Sequence, residues 1–257
     1  MSVAMICLVA FLASGLTFFS GFGLGTLLLP AFALFYPVEH AIALTALVHF
    51  LNGLFKLVLV GRFADKRILL RFGAPAILAS FLGAWALVLL SDVPALFEYT
   101  AFDRRLQVGV LNFVIGVLLL LFSLVELVPK LSALAFPPRY LTAGGFLTGF
   151  FGGLSGMQGA LRSAFLARAG LTKEVYIATG AVIATMIDVS RIAVYLPHFL
   201  LQREQLDYGV VAAAILSAFA GAYTGNHYLQ KITMHAVQRI VAAMLFLISL
   251  GLVSGVV

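Results

Sequence analysis

Charge is what this chain has least of. Only 10% of its 257 residues are Asp, Glu, Lys or Arg, against roughly 25% in soluble domains. None of them occurs between Met1 and Val38. Hydrophobic residues make up 63% and mean hydropathy is +1.11, which excludes an ordinary soluble domain. Cysteine is nearly absent. Cys7 alone allows neither an internal disulfide nor a cysteine metal cluster. No basic stretch precedes the first apolar run and no small-residue cleavage pattern follows it, so that run is expected to stay in the fold. No glycine-rich loop ends in Lys-Ser/Thr, and no His-Glu-x-x-His occurs. Gly21-x-Gly23-x-Gly25 sits inside an apolar segment rather than after a soluble strand, so it is not a dinucleotide fingerprint. With no nucleophile, base and metal set to be found, the expectation is no enzyme, no cofactor and no metal. The net charge of +6 does not point to nucleic acid, because Lys and Arg sit mainly in short loops, where membrane topology accounts for them.

What the chain does have is apolar length. Apolar segments span about 3–36, 41–60, 68–90, 107–128, 140–169, 175–196, 207–227 and 236–257, and about 20 such residues cross a bilayer as helix. Breaks carry loop chemistry: Pro37, Gly61-Arg62 through Arg67, Asp92-Val-Pro94, Pro137-Pro138-Arg139 and Pro197-His198. The uncharged first segment would reach roughly 55 Å as one straight helix, against a hydrocarbon core of about 30 Å.

Two segments are knotted by glycine about 135 residues apart. The first reads Gly15-Leu-Thr-Phe-Phe-Ser20-Gly21-Phe-Gly23-Leu-Gly25; the second reads Gly149-Phe-Phe-Gly152-Gly153-Leu-Ser155-Gly156-Met-Gln158-Gly159. At that offset Ser20-Gly21 meets Ser155-Gly156, Glu39 meets Glu174, and Lys56 meets Arg191. Identities are few, but the order of features recurs: broken segment, acid, apolar helix, base. Duplicated halves with interrupted spans mark a secondary transporter whose site lies between the repeats.

The broken segments either cross fully or turn back as re-entrant hairpins. Full crossing divides the thirteen loop Lys and Arg seven to six across the membrane, whereas hairpins divide them ten to three, leaving only Arg104, Arg105 and Arg203 outside. The positive-inside rule selects hairpins. Each half then has three crossings, an odd number, so the halves are inverted and both termini face outward. The expectation is an all-α integral membrane protein of two inverted repeats, each a glycine-broken (re-entrant or discontinuous) helix plus three transmembrane helices. Residues 1–130 form the first repeat and 131–257 the second, within one membrane domain. The competing reading is that the glycines simply let helices pack closely.

Three basic residues, Lys56, Arg162 and Arg191, fall inside spans, and Asp188 is the acid deep in one. Such charges cost about 2.5–3.5 kcal/mol each on insertion scales, so each is a functional candidate. Arg162 follows the second knot by six residues and can grip an oxyanion through parallel N–H bonds. Lys56 and Arg191 lie near span ends, where they either snorkel or gate and attract substrate. Asp188 stands three residues before Arg191 on one helix face; it either neutralises that arginine or takes up a proton during transport. The knots supply hydroxyls and backbone N–H groups, and Ser20, Gly21, Gly23, Ser155, Gly156 and Gln158 are the candidates there. His49 and Asn52 share a face; Asn52 joins the substrate-binding set, with interhelical bonding as the alternative for both.

These stretches resemble the TauE/SafE family of membrane permeases. In the first half the resemblance rests on Ser20 through Leu29-Pro30-Ala-Phe, then Val38-Glu39-His-Ala41 and Thr45. In the second it rests on Gly149 through Gly159, Lys173-Glu174 and Ala178-Thr179, with Gly83-Ala84 and Gly221-Ala222 as a further matched pair. It covers nearly the whole chain and implies an exporter of sulfite or organosulfonate in the cell (inner) membrane. One departure is Arg162-Ser-Ala-Phe165, where the family's second knot usually runs through glycines into proline. Thiosulfate-uptake relatives depend on a series of cysteines, which Cys7 alone cannot supply.

The function expected is therefore a secondary transporter of a small oxyanion, such as sulfite or a short organosulfonate, working by alternating access at a midplane site. The alternatives are a proton-coupled organic-acid importer and an anion channel. An inside-negative potential favours anion exit by about 2.3 kcal/mol per charge per 100 mV. Partners expected are the anionic substrate, the lipid bilayer and, as one option, a second copy in a homodimer, with no nucleic acid.

Overall fold

The computed structural model describes residues 2–17, 24–101, 104–200, 208–228 and 234–256. Helices α1 (Ser2–Thr17) and α2 (Leu24–Ala33) both come from the first apolar segment. Pro37 precedes α3 (Val38–Val60), with Glu39 in its first turn, where a carboxylate complements the helix dipole. Asp65 caps α4 (Lys66–Ser91): its Oδ1 accepts from Arg67 N at 2.8 Å and Ile68 N at 3.1 Å. A π-helical stretch occupies Leu69–Gly73.

A β-hairpin follows, β1 (Ala95–Ala101) against β2 (Arg104–Gly109), antiparallel with Phe97 opposite Val108 and Tyr99 opposite Leu106. The sequence reading has only a loop here. The alternation is short and partly polar, and Glu98 is held across the strands by Arg105 and by Gln107 Nε2 at 2.5 Å. Tyr99 anchors the hairpin by donating to Ser254 O at 2.5 Å.

The first half ends with α5 (Val110–Leu127), and the second carries α6 (Leu141–Ser155), α7 (Gly159–Leu166), α8 (Lys173–Tyr195), α9 (Tyr208–Tyr228) and α10 (Met234–Ser254). Thr172 caps α8, and the helix runs into a π turn at Leu196–Leu200. Helices α3 and α8 have the same length, 23 residues, and Glu39 and Glu174 each take their second position.

Packing follows a crossed pattern. The main contacts join α4 to α6, α1 to α9, α5 to α10 and α3 to α8. Glycines permit the closest approaches. A Cβ on Gly145, Gly149 or Gly153 of α6 would lie 2.2, 2.0 or 2.1 Å from the carbonyl oxygens of Phe72, Ala76 and Ser80 on α4. Gly83 meets Phe150 O at 2.0 Å, and its match Gly221 meets Phe11 O at 2.0 Å on the other helix pair. Small-residue packing thus explains part of the second glycine run. The break itself is confined to Gly156-Met157-Gln158, between α6 and α7.

Phe32, Leu28, Ile42, Leu87, Ile115 and Tyr195 anchor the main core, and Phe72, Phe165, Ile183 and Ile187 a smaller one. The outer surface is apolar too: Leu70, Leu78, Leu82 and Leu89 of α4 are 55–73% exposed. Among the described residues, four helices, within α3, α4, α5 and α8, are long and apolar enough to cross a membrane. Exposed leucine of this kind is disfavoured in water and at home in lipid.

Candidate functional site

The α6–α7 break is made by one left-handed residue. Gly156 has φ +79° and its N–H reaches back to Gly152 O at 3.0 Å, ending α6. Ser155 Oγ donates to Phe151 O at 3.0 Å and accepts from Met157 N at 3.4 Å. Ser155 therefore stitches the break. The start of α2 lies against it: a Cβ on Gly25 would stand 3.6 Å from Gly156 O and 3.7 Å from His49 Cδ2. Ser20, Gly21 and Gly23 lie outside the described residues.

Behind the break sits a buried polar cluster. Asp188 Oδ1 accepts from Arg191 Nη2 at 2.7 Å, Arg191 Nε at 3.0 Å and Gln158 Nε2 at 3.3 Å. Its Oδ2 lies 2.5 Å from His49 Nδ1. Asp188 and Arg191 are both fully buried. Asp188 and Arg191 form an ion pair, and the Arg191 side chain is enclosed by protein. Arg191 Nη1 has no hydrogen-bond partner and faces Gly156, whose added Cβ would meet it at 2.7 Å. Gln158 Oε1 is likewise buried and without a hydrogen bond. Tyr195 donates its hydroxyl to Gly153 O, tying α8 to the last turn of α6.

A cavity of about 30 Å³ adjoins this cluster, lined by His49, Asn52, Gly53, Lys56, Arg162 and Ala181, among others. Three lining groups are sequence candidates: Asn52, Lys56 and Arg162. His49, Asn52, Gly53 and Lys56 lie at i, i+3, i+4 and i+7 on α3, hence on one face. Asn52 also accepts from Ser14 Oγ of α1 at 3.1 Å, so interhelical bonding and cavity lining coincide at that residue. Arg162 projects from α7, is buried, and stands within electrostatic reach of Lys56, Tyr176 and Asp188. Lys56 is half-buried. Although Lys56 and Arg191 match in sequence, the structure gives them different places, one at the cavity and the other behind Asp188.

His49 is absent from the sequence candidates for the site. Its spacing from Asn52 and Lys56 is the signal that marks it, but its bond to Asp188, 139 residues away, is tertiary.

The family model described as "Sulfite exporter TauE/SafE" matches residues 6–252 of the chain. The chain belongs to the TauE/SafE family. It is accordingly a multi-pass membrane protein of the anion-exporter type, and its family are permeases rather than enzymes. No curated protein and no solved structure matches it. In this TauE/SafE protein, Arg162 lines the small cavity.

Proposed function

We propose that this TauE/SafE protein exports a small oxyanion, sulfite or a short organosulfonate, across the cell inner membrane by alternating access to a site beside the glycine breaks. The observation that carries this reading is the convergence of Lys56 and Arg162 with Asn52 and His49 on one buried cavity. Cations within the membrane that face a cavity mark ion pathways, and a guanidinium there suits an oxyanion. Arg162 is the oxyanion grip and Lys56 a point charge opposite it; Asn52 and His49 add polar contacts. Ser20, Gly21, Gly23, Ser155, Gly156 and Gln158 shape the breaks, and Asp188 and Arg191 hold the closed gate.

In this reading residues 1–130 and 131–257 are inverted repeats, with α1–α2 and α6–α7 as hairpins entering from opposite faces. The exchange of partners supports it, since α1 packs on α9 and α6 on α4. So does the α1-to-α2 and α6-to-α7 packing. Irregular backbone at depth is tolerated where protein buries it or water reaches it.

The test is thermal stability of the detergent-purified protein with sulfite, sulfate, thiosulfate, sulfoacetate, taurine, acetate and lactate. A ligand at a hundred times its Kd adds roughly 2.7 kcal/mol. Stabilisation by sulfite or a sulfonate, lost in Arg162→Ala, is the expected result. Stabilisation by carboxylates alone, or its persistence in Arg162→Ala, overturns the assignment.

A further inference from the structure

We propose that the cavity of about 420 Å³ between α5, α7 and the start of α8 is the cytoplasmic vestibule through which the anion enters. Tyr176 and α7 form the partition between it and Arg162. The inference rests on the anion-transport reading above and adds an entry side, a path and a barrier.

Three observations carry it. The first is the position of α7 between two cavities. Ala160, Ser163, Ala164 and Ala167 line the large cavity, while Arg162 of the same helix lines the small one. Tyr176 and Ile177, neighbours on α8, divide in the same way: Tyr176 faces the large cavity and Ile177 the small one. A single short helix and one aromatic ring therefore separate them. The small cavity has room for about one or two waters, so loading an oxyanion requires this partition to shift.

The second is an asymmetry between matched places. The 135-residue offset sets Ser163, Ala164 and Ala167 opposite Leu28, Leu29 and Phe32 of α2, which are 0–1% exposed. Helix α2 packs directly on α10, whereas their counterparts α7 and α5 stand apart, with Val125 and Glu126 on one wall and α7 on the other. One side is filled by large side chains; the other is kept open by small ones. Opening the filled side would expose Leu28, Leu29 and Phe32, so the large cavity is a one-sided entrance.

The third is the charge at its edge. Exposed Arg168 adjoins Ala167, exposed Lys130 adjoins Leu131, and exposed Lys173 lies one turn before Tyr176. A basic rim concentrates anions, and the same residues mark the cytoplasmic side. An exporter loads from there. Glu126 lies in the cavity wall and opposes multiply charged anions on the way in.

Cysteine accessibility tests the proposal directly, because Cys7 is the one native cysteine. In a Cys7→Ser background, Ser163→Cys is expected to react with a membrane-impermeant thiol reagent added to the cytoplasmic face and not from the opposite face. The modified protein is expected to lose most sulfite efflux from reconstituted vesicles. Labelling from the opposite face only, or labelling that leaves efflux intact, overturns it. Should Ser163→Cys fail to fold, Ala167→Cys at the rim gives the same readout. Tyr176→Ala is expected to raise efflux several-fold, and unchanged efflux there removes Tyr176 from the path. Absence of anion flux in the unmodified parent would defeat the transport reading itself. Sidedness of labelling would still decide where the vestibule opens.

Discussion

Asp188 accepts from Arg191 twice, from Gln158 once, and faces His49. In the gate we propose, it holds Arg191 against the break at Gly156. Asp188→Asn leaves Arg191 buried without its countercharge, and breaking such a pair costs about 3–5 kcal/mol. The melting temperature in detergent is expected to fall sharply, and Asp188→Leu with Arg191→Leu to recover much of the loss. An equal fall in the single and double variants would refute the pairing argument. Arg162→Ala should behave differently, relieving repulsion with Lys56 and keeping the fold while removing anion stabilisation. At this scale the sequence marks Lys56, Arg162, Asp188 and Arg191 because charge is rare in apolar segments. His49 is marked only by the face it shares with Asn52, and its bond runs between helices, from α3 to Asp188 of α8.

Glycines at the element scale divide into three uses. Gly156 supplies a left-handed turn; Gly145, Gly149 and Gly153 let α6 touch the backbone of α4; Gly61 makes only ordinary contacts, its added Cβ lying 3.6 Å from Leu57. Gly149→Ala places a methyl 2.0 Å from Ala76 O, and parting the helices should cost at least the 1–3 kcal/mol typical of overpacking. Gly61→Ala should leave the melting temperature nearly unchanged. If the two variants melt alike, close α4–α6 contact is not what stabilises the bundle. The sequence run Gly149–Gly159 reads as one knot. Only the position of α4 separates its packing glycines from its turning glycine. The β-hairpin is missed for a related reason: its anchor at Ser254 O comes from the far end of the chain.

The proposed topology of the whole molecule makes a physical claim about sidedness. Hairpins at α1–α2 and α6–α7 leave three crossings per half and put both termini on the face opposite the basic loops. Reporter fusions at residue 1 and residue 257 are expected to read out on the outer face, and a reporter in the loop at Arg62–Lys66 on the cytoplasmic face. Both termini on the cytoplasmic face would return the broken segments to full crossings. With basic loops inside, the vestibule rim faces the cytoplasm, and the membrane potential drives a loaded anion outward by about 2.3 kcal/mol per charge per 100 mV.

Composition and the spacing of apolar runs determined the solvent of this protein, its helical class and its family, because lipid forces every backbone group into a local bond. The two helices that the repeated order matches, α3 and α8, have equal length and a glutamate at the same position. Side-chain partnership was decided only in three dimensions. Arg191 and Lys56 match along the chain yet differ in surroundings: Arg191 pairs with Asp188 three residues before it, which His49 reaches across 139 residues, whereas Arg162 comes to Lys56 from α7. Matched sequence positions fix where a helix runs. What surrounds each charge depends on which face its neighbours present, and the crossed packing of the two halves sets that.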